Sequence, residues 1–107
     1  MSTNLRIDGA RLTSRLAELS KIGATPEGGC RRLALTDEDR QGRDWLVAQM
    51  KALGLDTRVD AIGNIVGILK GQESGPAVIM GSHIDTVGTG GRFDGALGVV
   101  AGVEVLA

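Results

Sequence analysis

One histidine and two aspartates sit in a glycine-rich stretch of this 107-residue sequence, and they are the side chains best suited to chemistry. The stretch reads Gly81-Ser82-His83-Ile84-Asp85-Thr86-Val87, then Gly90-Gly91-Arg92-Phe93-Asp94-Gly95, then Gly98-Val99. His83 is the single histidine of the chain. Neutral imidazole is the commonest metal ligand, and its second ring nitrogen needs an acceptor to fix the tautomer. Asp85 lies two residues on, so in an extended segment it points to the same side as His83 and supplies that acceptor. Asp94 follows on a glycine-flanked loop able to fold back, and its two carboxylate oxygens can bridge two cations. Seven of the 17 glycines fall after residue 80, which marks backbone that turns sharply or approaches something closely. Spacing alone leaves plainer readings open. His83 could be a satisfied structural residue, Asp85 a turn residue, and Asp94 the N-cap of a following helix. Two ligands also fall short of the three that a catalytic zinc usually takes from the protein.

These residues need elements to hold them. Residues 8–22 place Leu12, Leu16, Leu19 and Ile22 on one helical face, with Asp8 as N-cap and Gly23 as the C′ residue. Residues 23–35 read as a loop. A second helix starts at Thr36, which forms a capping-box pattern with Asp39. Asp37, Glu38 and Asp39 put negative charge on the positive end of its dipole. Leu46, Met50 and Leu53 share a face of this helix, and Gly54 closes it. From Leu55 the period becomes two, so residues 55–61 read as a half-buried strand and 64–70 as its hairpin partner. The apolar run Ala77-Val78-Ile79-Met80 predicts a third strand covered on both faces. His83 then falls just past its carboxyl end, where open α/β sheets place ligand sites. Residues 81–95 read as a loop and 96–107 as a mostly apolar helix. The order helix, helix, strand, strand, strand, loop, helix predicts an α/β fold of three layers, a mixed sheet flanked by helices. Residues 1–107 form part or all of one domain. The last helix lacks a polar cap or glycine stop. It is either a short helix docked on the sheet or the cut edge of a larger polypeptide.

Composition narrows the function classes. Hydrophobic residues make up 42% of the chain, which argues against intrinsic disorder. Twelve basic and thirteen acidic residues, without long runs of either sign, give no footprint for nucleic acid or an anionic membrane. Residues 1–12 contain no apolar signal core, and no stretch is long and apolar enough to span a bilayer. Cys30 is alone and cannot form an internal disulfide, which fits the cytoplasm. A nucleotide-binding turn is excluded, because Phe93 stands where the last glycine of G-x-G-x-x-G would be and no Walker lysine is present.

The pattern Gly-Ser-His-x-Asp-Thr-Val with Gly-Gly-x-Phe-Asp-Gly-x-x-Gly-Val resembles the first metal motif of the dinuclear-metal aminoacylase and carboxypeptidase superfamily. Within it, the chain is most similar to the branch of N-carbamoyl-L-amino-acid hydrolase, β-ureidopropionase and allantoate amidohydrolase. Arg32-Leu33-Ala34-Leu35-Thr36-Asp37-Glu38-Asp39-Arg40, Gly42-Arg43-Asp44-Trp45 and Asp60-Ala61-Ile62-Gly63-Asn64 extend the likeness upstream. The resemblance implies the opening part of a zinc-peptidase-like catalytic domain with two divalent metal ions, zinc, manganese, cobalt or nickel. It implies His83 as ligand of one ion, Asp94 as the carboxylate bridging both, and Asp85 as the catalytic partner that orients His83. It further implies a cis Asp94–Gly95 peptide and hydrolysis of a linear C–N bond in a small ureido or amide substrate. A glutamate general base, further acidic and histidine ligands, and a dimerisation domain that makes the full-length enzyme a homodimer would lie in sequence beyond residue 107.

Two other residues carry open readings. Glu104, the one acidic residue after Asp94, faces solvent or enters a salt bridge; Arg92 is a solvated loop arginine or meets an anionic substrate group. The alternative to an enzyme is an inactive remnant that binds or self-associates through an exposed sheet edge.

Overall fold

Asp8 starts the first helix, its carboxylate accepting the Arg11 backbone N–H at 3.1 Å, and α1 runs Gly9–Ser20. This is a computed structural model that describes residues 4–107; the first three residues of the stretch read as lacking a secretory signal lie outside the described residues. α1 stops two residues before the expected end. Lys21 is its C-cap, and Gly23 (φ +83°) turns the chain just beyond. Leu16 and Leu19 are buried, and Leu12 and Ile22 pack beside them, so the apolar stripe faces the core as its spacing requires.

α2 spans Asp37–Ala52, and Thr36 caps it by accepting the Asp39 N–H at 3.3 Å. The return bond of the box goes one residue further back than usual: the Asp39 carboxylate accepts the Leu35 N–H at 3.0 Å. Gly54 takes the left-handed conformation (φ +78°) directly after the Leu53 C-cap, as a helix-closing glycine should.

β1 (Asp56–Val59) and β2 (Ile65–Ile68) form an antiparallel hairpin, in register from Asp56↔Ile68 to Val59↔Ile65. Its turn is organised by Asp60, whose Oδ1 accepts the N–H groups of Ile62, Gly63 and Asn64 while Oδ2 accepts the Asn64 side chain. The hairpin packs on α2 at Gly67, where a Cβ would come within 2.9 Å of Met50 Sδ. The expected alternation is strongest at its start, with Leu55 buried and Thr57 half-buried; Val59 is exposed.

α3 covers Ala96–Leu106 and packs against α1. The core joins Leu16 and Leu19 of α1, Leu46 and Met50 of α2, Leu55, Ile84, and Ala96, Val100 and Val103 of α3. No helix among the described residues is long and apolar enough to cross a membrane.

The sheet differs from expectation. Residues 77–80 form no ladder, and Val78 and Ile79 are 93% and 87% exposed instead of covered on both faces. A strand exists through its partner's N–H and C=O groups, and here β1 and β2 pair only with each other, so this apolar run has nothing to pair with. The observed architecture is therefore α/β with three helices and a two-stranded antiparallel sheet among the described residues.

Candidate functional site

The core holds the middle of the site segment and turns its chemistry outward. Ile84 and Thr86 are buried, whereas His83 and Asp85 alternate with them on the open side, as the two-residue spacing predicts. A main-chain carbonyl of α1's last turn, one just beyond its C-cap and one of the site segment converge on Arg32, which is 1% exposed. Its Nε donates to Ile84 O at 2.7 Å, and its Nη1 donates to Leu19 O at 3.1 Å and Ile22 O at 2.7 Å. The negative end of the α1 dipole thus receives a buried cation. The Arg32 backbone completes the clamp: its N–H donates to Thr86 Oγ1 at 2.7 Å and its C=O accepts the Thr86 N–H at 2.7 Å.

His83 is held by its own neighbour. Its Nδ1 lies 2.9 Å from the Asp85 main-chain oxygen and 3.4 Å from Asp85 Oδ1. A carbonyl can only accept, so in the neutral ring the proton sits on Nδ1 and Nε2 presents its lone pair. Nε2 faces Asp94 Oδ2 at 4.0 Å. The structure therefore brings His83, Asp85 and Asp94 together, with the closer acceptor for Nδ1 being the Asp85 main chain.

Asp94 arrives through a tight reversal. The Ala96 N–H donates to Asp94 O at 2.8 Å across Gly95, whose φ of +72° and ψ of −48° define a γ-turn of the rare positive-φ kind. The expected cis Asp94–Gly95 bond is not found: no described peptide bond is cis, and the chain reverses at Gly95 through its positive φ. The plainer reading of Asp94 also fails. Gly95 occupies the N-cap position of α3, and no side chain caps that helix, which leaves the Asp94 carboxylate 73% exposed beside His83. A Cβ on Gly95 would overlap the His83 ring and carbonyl, and one on Gly98 would come within 2.8 Å of Ser82 Cβ. α3 thus approaches the histidine as closely as glycine permits.

The donor types suit part of a metal site, but the spacing is wide. Two atoms each about 2.0–2.2 Å from one tetrahedral zinc-sized ion lie about 3.4 Å apart, so the 4.0 Å between Nε2 and Oδ2 must close for both to hold one ion. Among the described residues, however, no group of three or more His, Cys, Asp or Glu side chains is assembled to hold a metal ion. Arg92 lies over the Phe93 ring at 5.0 Å, both side chains exposed on the loop before Asp94.

Glu104 takes the salt-bridge alternative of its open reading. Its side chain is fully buried, not solvated, and Arg11 grips it with Nε at 2.6 Å and Nη2 at 2.7 Å. Arg15 Nη1 adds a contact at 3.3 Å and the Asp8 N–H one at 3.4 Å. The signal was present in the sequence, since a lone carboxylate in an apolar helix must find a partner; Arg32 gave no comparable signal.

These bonds carry a pH dependence. The Arg11 hydrogen bonds hold the Glu104 carboxyl below its ordinary range against the opposing effect of burial, and Asn64 does the same for Asp60. Both groups bind protons more weakly folded than unfolded, so their stabilisation is complete above the unfolded values of ~4. It is lost as pH falls through the lower folded values. Urea midpoints are expected to be level from pH 7 to 5 and to drop below pH 4, and Glu104→Gln to flatten that drop. An unchanged drop in the variant would show that Glu104 does not contribute to it.

No family model matches the chain. Individual relatives do. A putative hydrolase of Mycolicibacterium smegmatis is 50% identical over 106 residues, 94% of this chain and 24% of the relative. An N-carbamoyl-L-amino acid amidohydrolase of Geobacillus stearothermophilus is 46% identical over 101 residues, again 94% of this chain and 25% of the relative. The solved hydantoinase/carbamoylase family amidase of Burkholderia ambifaria is 52% identical, with a TM-score of 0.91 over 95% of this chain and 25% of that structure. The chain thus spans about a quarter of the length of the relatives it matches. Sequence and fold agree over nearly all of these residues, and the chain belongs to the hydantoinase/carbamoylase family of amidohydrolases.

Proposed function

We propose that this chain carries the histidine–aspartate part of an amidohydrolase site that cleaves a linear C–N bond in a small ureido or amide compound. The observation that carries the reading is the geometry of His83. Its Nδ1 is tied to Asp85 and its Nε2 lies 4.0 Å from Asp94 Oδ2, in a chain related to amidohydrolases over nearly its full length. Names among the relatives, N-carbamoyl-L-amino acid amidohydrolase, allantoate amidohydrolase and ureidoglycolate hydrolase, support that substrate class.

The proposed cofactors are two divalent ions, with His83 holding one and Asp94 both; zinc, manganese, cobalt and nickel all suit a histidine with a carboxylate. When bound, such ions lower the pKa of water and polarise a carbonyl oxygen. The residues of this chain have distinct tasks. The Asp85 main-chain oxygen keeps the proton on Nδ1, and the Asp85 carboxylate stands 3.4 Å from the same nitrogen as a second acceptor that orients the ring. Asp94 supplies exposed negative charge opposite Nε2. Glu104 is committed to Arg11 and Arg15 and is not free to move a proton. The general base is proposed, as the resemblance implies, to be a glutamate in further polypeptide. The same holds for the remaining ligands, the homodimer contacts and the partner strands that would make residues 77–80 part of a three-layer mixed sheet. A cytoplasmic location belongs to the same proposal.

The test is a graft of this chain in place of the matching quarter of one of its amidohydrolase relatives. The graft is expected to hydrolyse an N-carbamoyl amino acid, to lose activity on dialysis against a chelator, and to regain it with a divalent ion. A folded graft without activity, or with activity indifferent to chelation, would overturn the reading.

One observation favours a second reading, association without catalysis. Val78, Ile79 and Leu69 are large apolar side chains left exposed. Light scattering on the 107-residue chain is expected to show self-association that Ile79→Lys reduces. A monomer at all concentrations would remove this reading.

A further inference from the structure

The helix that delivers Asp94 has almost nothing in its sequence to say which way it should face. α3 reads Ala-Leu-Gly-Val-Val-Ala-Gly-Val-Glu-Val-Leu, apolar on every side. Ala96, Val100 and Val103 are buried, yet Leu97 and Val105 are equally apolar and remain 46% and 57% exposed. Hydrophobic burial is non-directional, so a rotation or slide of this helix would exchange one set of apolar side chains for another. Glu104 breaks the degeneracy. A buried carboxylate cannot be left unpaired, and the cations that satisfy it, Arg11 and Arg15, stand on α1. Arg15 also donates to Gln49 of α2 at 3.3 Å, which ties the cluster to a third element.

The register of α3 matters at its other end. Asp94 is joined to the first turn by the γ-turn at Gly95 and by the Leu97 N–H bond to Phe93 O at 3.0 Å, so it moves with the helix. Gly95 and Gly98 meet His83 and Ser82 without clearance. A turn of one residue, about 100°, would bring a leucine or valine where Gly98 passes Ser82. α1 therefore acts on both halves of the site. Its last turn holds Ile84, next to His83, through Arg32, and its first turns hold α3, and with it Asp94, through Glu104.

We propose that Glu104 is a positioning residue for the metal site, its buried contact with Arg11 and Arg15 keying α3 in the one register that sets Asp94 against His83. This rests on the metal reading of His83 and Asp94 given above. The role is one of specificity, comparable to a single buried polar residue that fixes the register of an otherwise apolar helix interface.

The 107-residue chain itself serves for the test, with Co²⁺ as probe. The single histidine gives one set of imidazole NMR signals, so paramagnetic broadening reports binding at His83 alone. Glu104→Gln and Arg11→Gln are each expected to weaken Co²⁺ binding at His83 about tenfold, with helical circular dichroism retained. The double variant is expected to be no weaker than the worse single one, because both remove the same contact. If Glu104→Gln does not fold, Arg11→Gln decides, since Arg11 is half exposed. Unchanged Co²⁺ binding beside a lowered melting temperature would overturn the proposal and leave Glu104 a purely stabilising residue. Absent Co²⁺ binding at His83 both in the unaltered chain and in the graft that supplies the remaining ligands, or Co²⁺ binding elsewhere that His83→Ala leaves intact, would sink the metal reading and this inference with it.

Discussion

Gly95→Ala is expected to lower the unfolding free energy by on the order of 3 kcal/mol and, on the metal role proposed for His83, to abolish divalent-metal binding there. Two independent effects add at this position. The backbone is at φ +72°, a conformation that a side chain disfavours by roughly 1–3 kcal/mol when held there. The new methyl group would also occupy the space of the His83 ring and carbonyl, and neither can yield easily. The ring is tied through Nδ1 to Asp85, and the next residue, Ile84, is locked in the core. Relief must come from α3 moving away, which separates Asp94 from His83. Gly91→Ala is the control, because a Cβ there meets nothing within 4 Å and its φ is not positive. Urea unfolding and Co²⁺ titration of both variants check the expectation. Equal behaviour of the two would show that the γ-turn does not set the site.

Arg32→Ala has the largest expected effect on stability alone, a loss of about 3–5 kcal/mol. The guanidinium is the common donor for Ile84 O, Leu19 O and Ile22 O. Its removal leaves Ile84 O without a partner and Ile22 O with only the Cys30 thiol at 3.6 Å, while Leu19 O keeps the Ile22 N–H at 3.0 Å. The side chain also fills volume against Gly42 of α2, whose Cα leaves room for Arg32 Cδ where a Cβ would come within 2.9 Å. Arg32→Lys recovers only part of the loss, because one ammonium cannot reproduce the planar fork. Arg31→Ala next door is exposed and should cost little. Equilibrium urea unfolding measures all three, and amide exchange at Thr86 reports the site segment directly. A loss under about 1 kcal/mol for Arg32→Ala would mean that water replaces the guanidinium without penalty.

Much of this protein was legible one segment at a time. The 3.6-residue spacing of Leu12, Leu16, Leu19 and Ile22, the Asp8 and Thr36 caps and the glycine at 54 gave α1 and α2 to within a residue or two. The change to a period of two at Leu55 gave the hairpin. His83 and Asp85 share a side because alternate residues of an extended segment do. All of these are properties of neighbours along the chain, carried by local dihedrals and short-range hydrogen bonds.

The rest was decided by tertiary structure, because it depends on pairings between residues far apart in the chain. Arg32 meets Ile84 across 52 positions and Arg11 meets Glu104 across 93, and no local pattern encodes either. Residues 77–80 have strand composition without being a strand, since composition supplies propensity while a ladder requires a partner. The form of the Asp94 turn was likewise set by what surrounds it. A glycine at position 95 was readable, but the requirement for φ +72° comes from His83 standing where a side chain would go. The sequence by itself determined which residues could do the chemistry and the helices and hairpin around them. Only the packed chain determined the distance and direction at which His83 and Asp94 meet, because that distance is the sum of long-range contacts through α1.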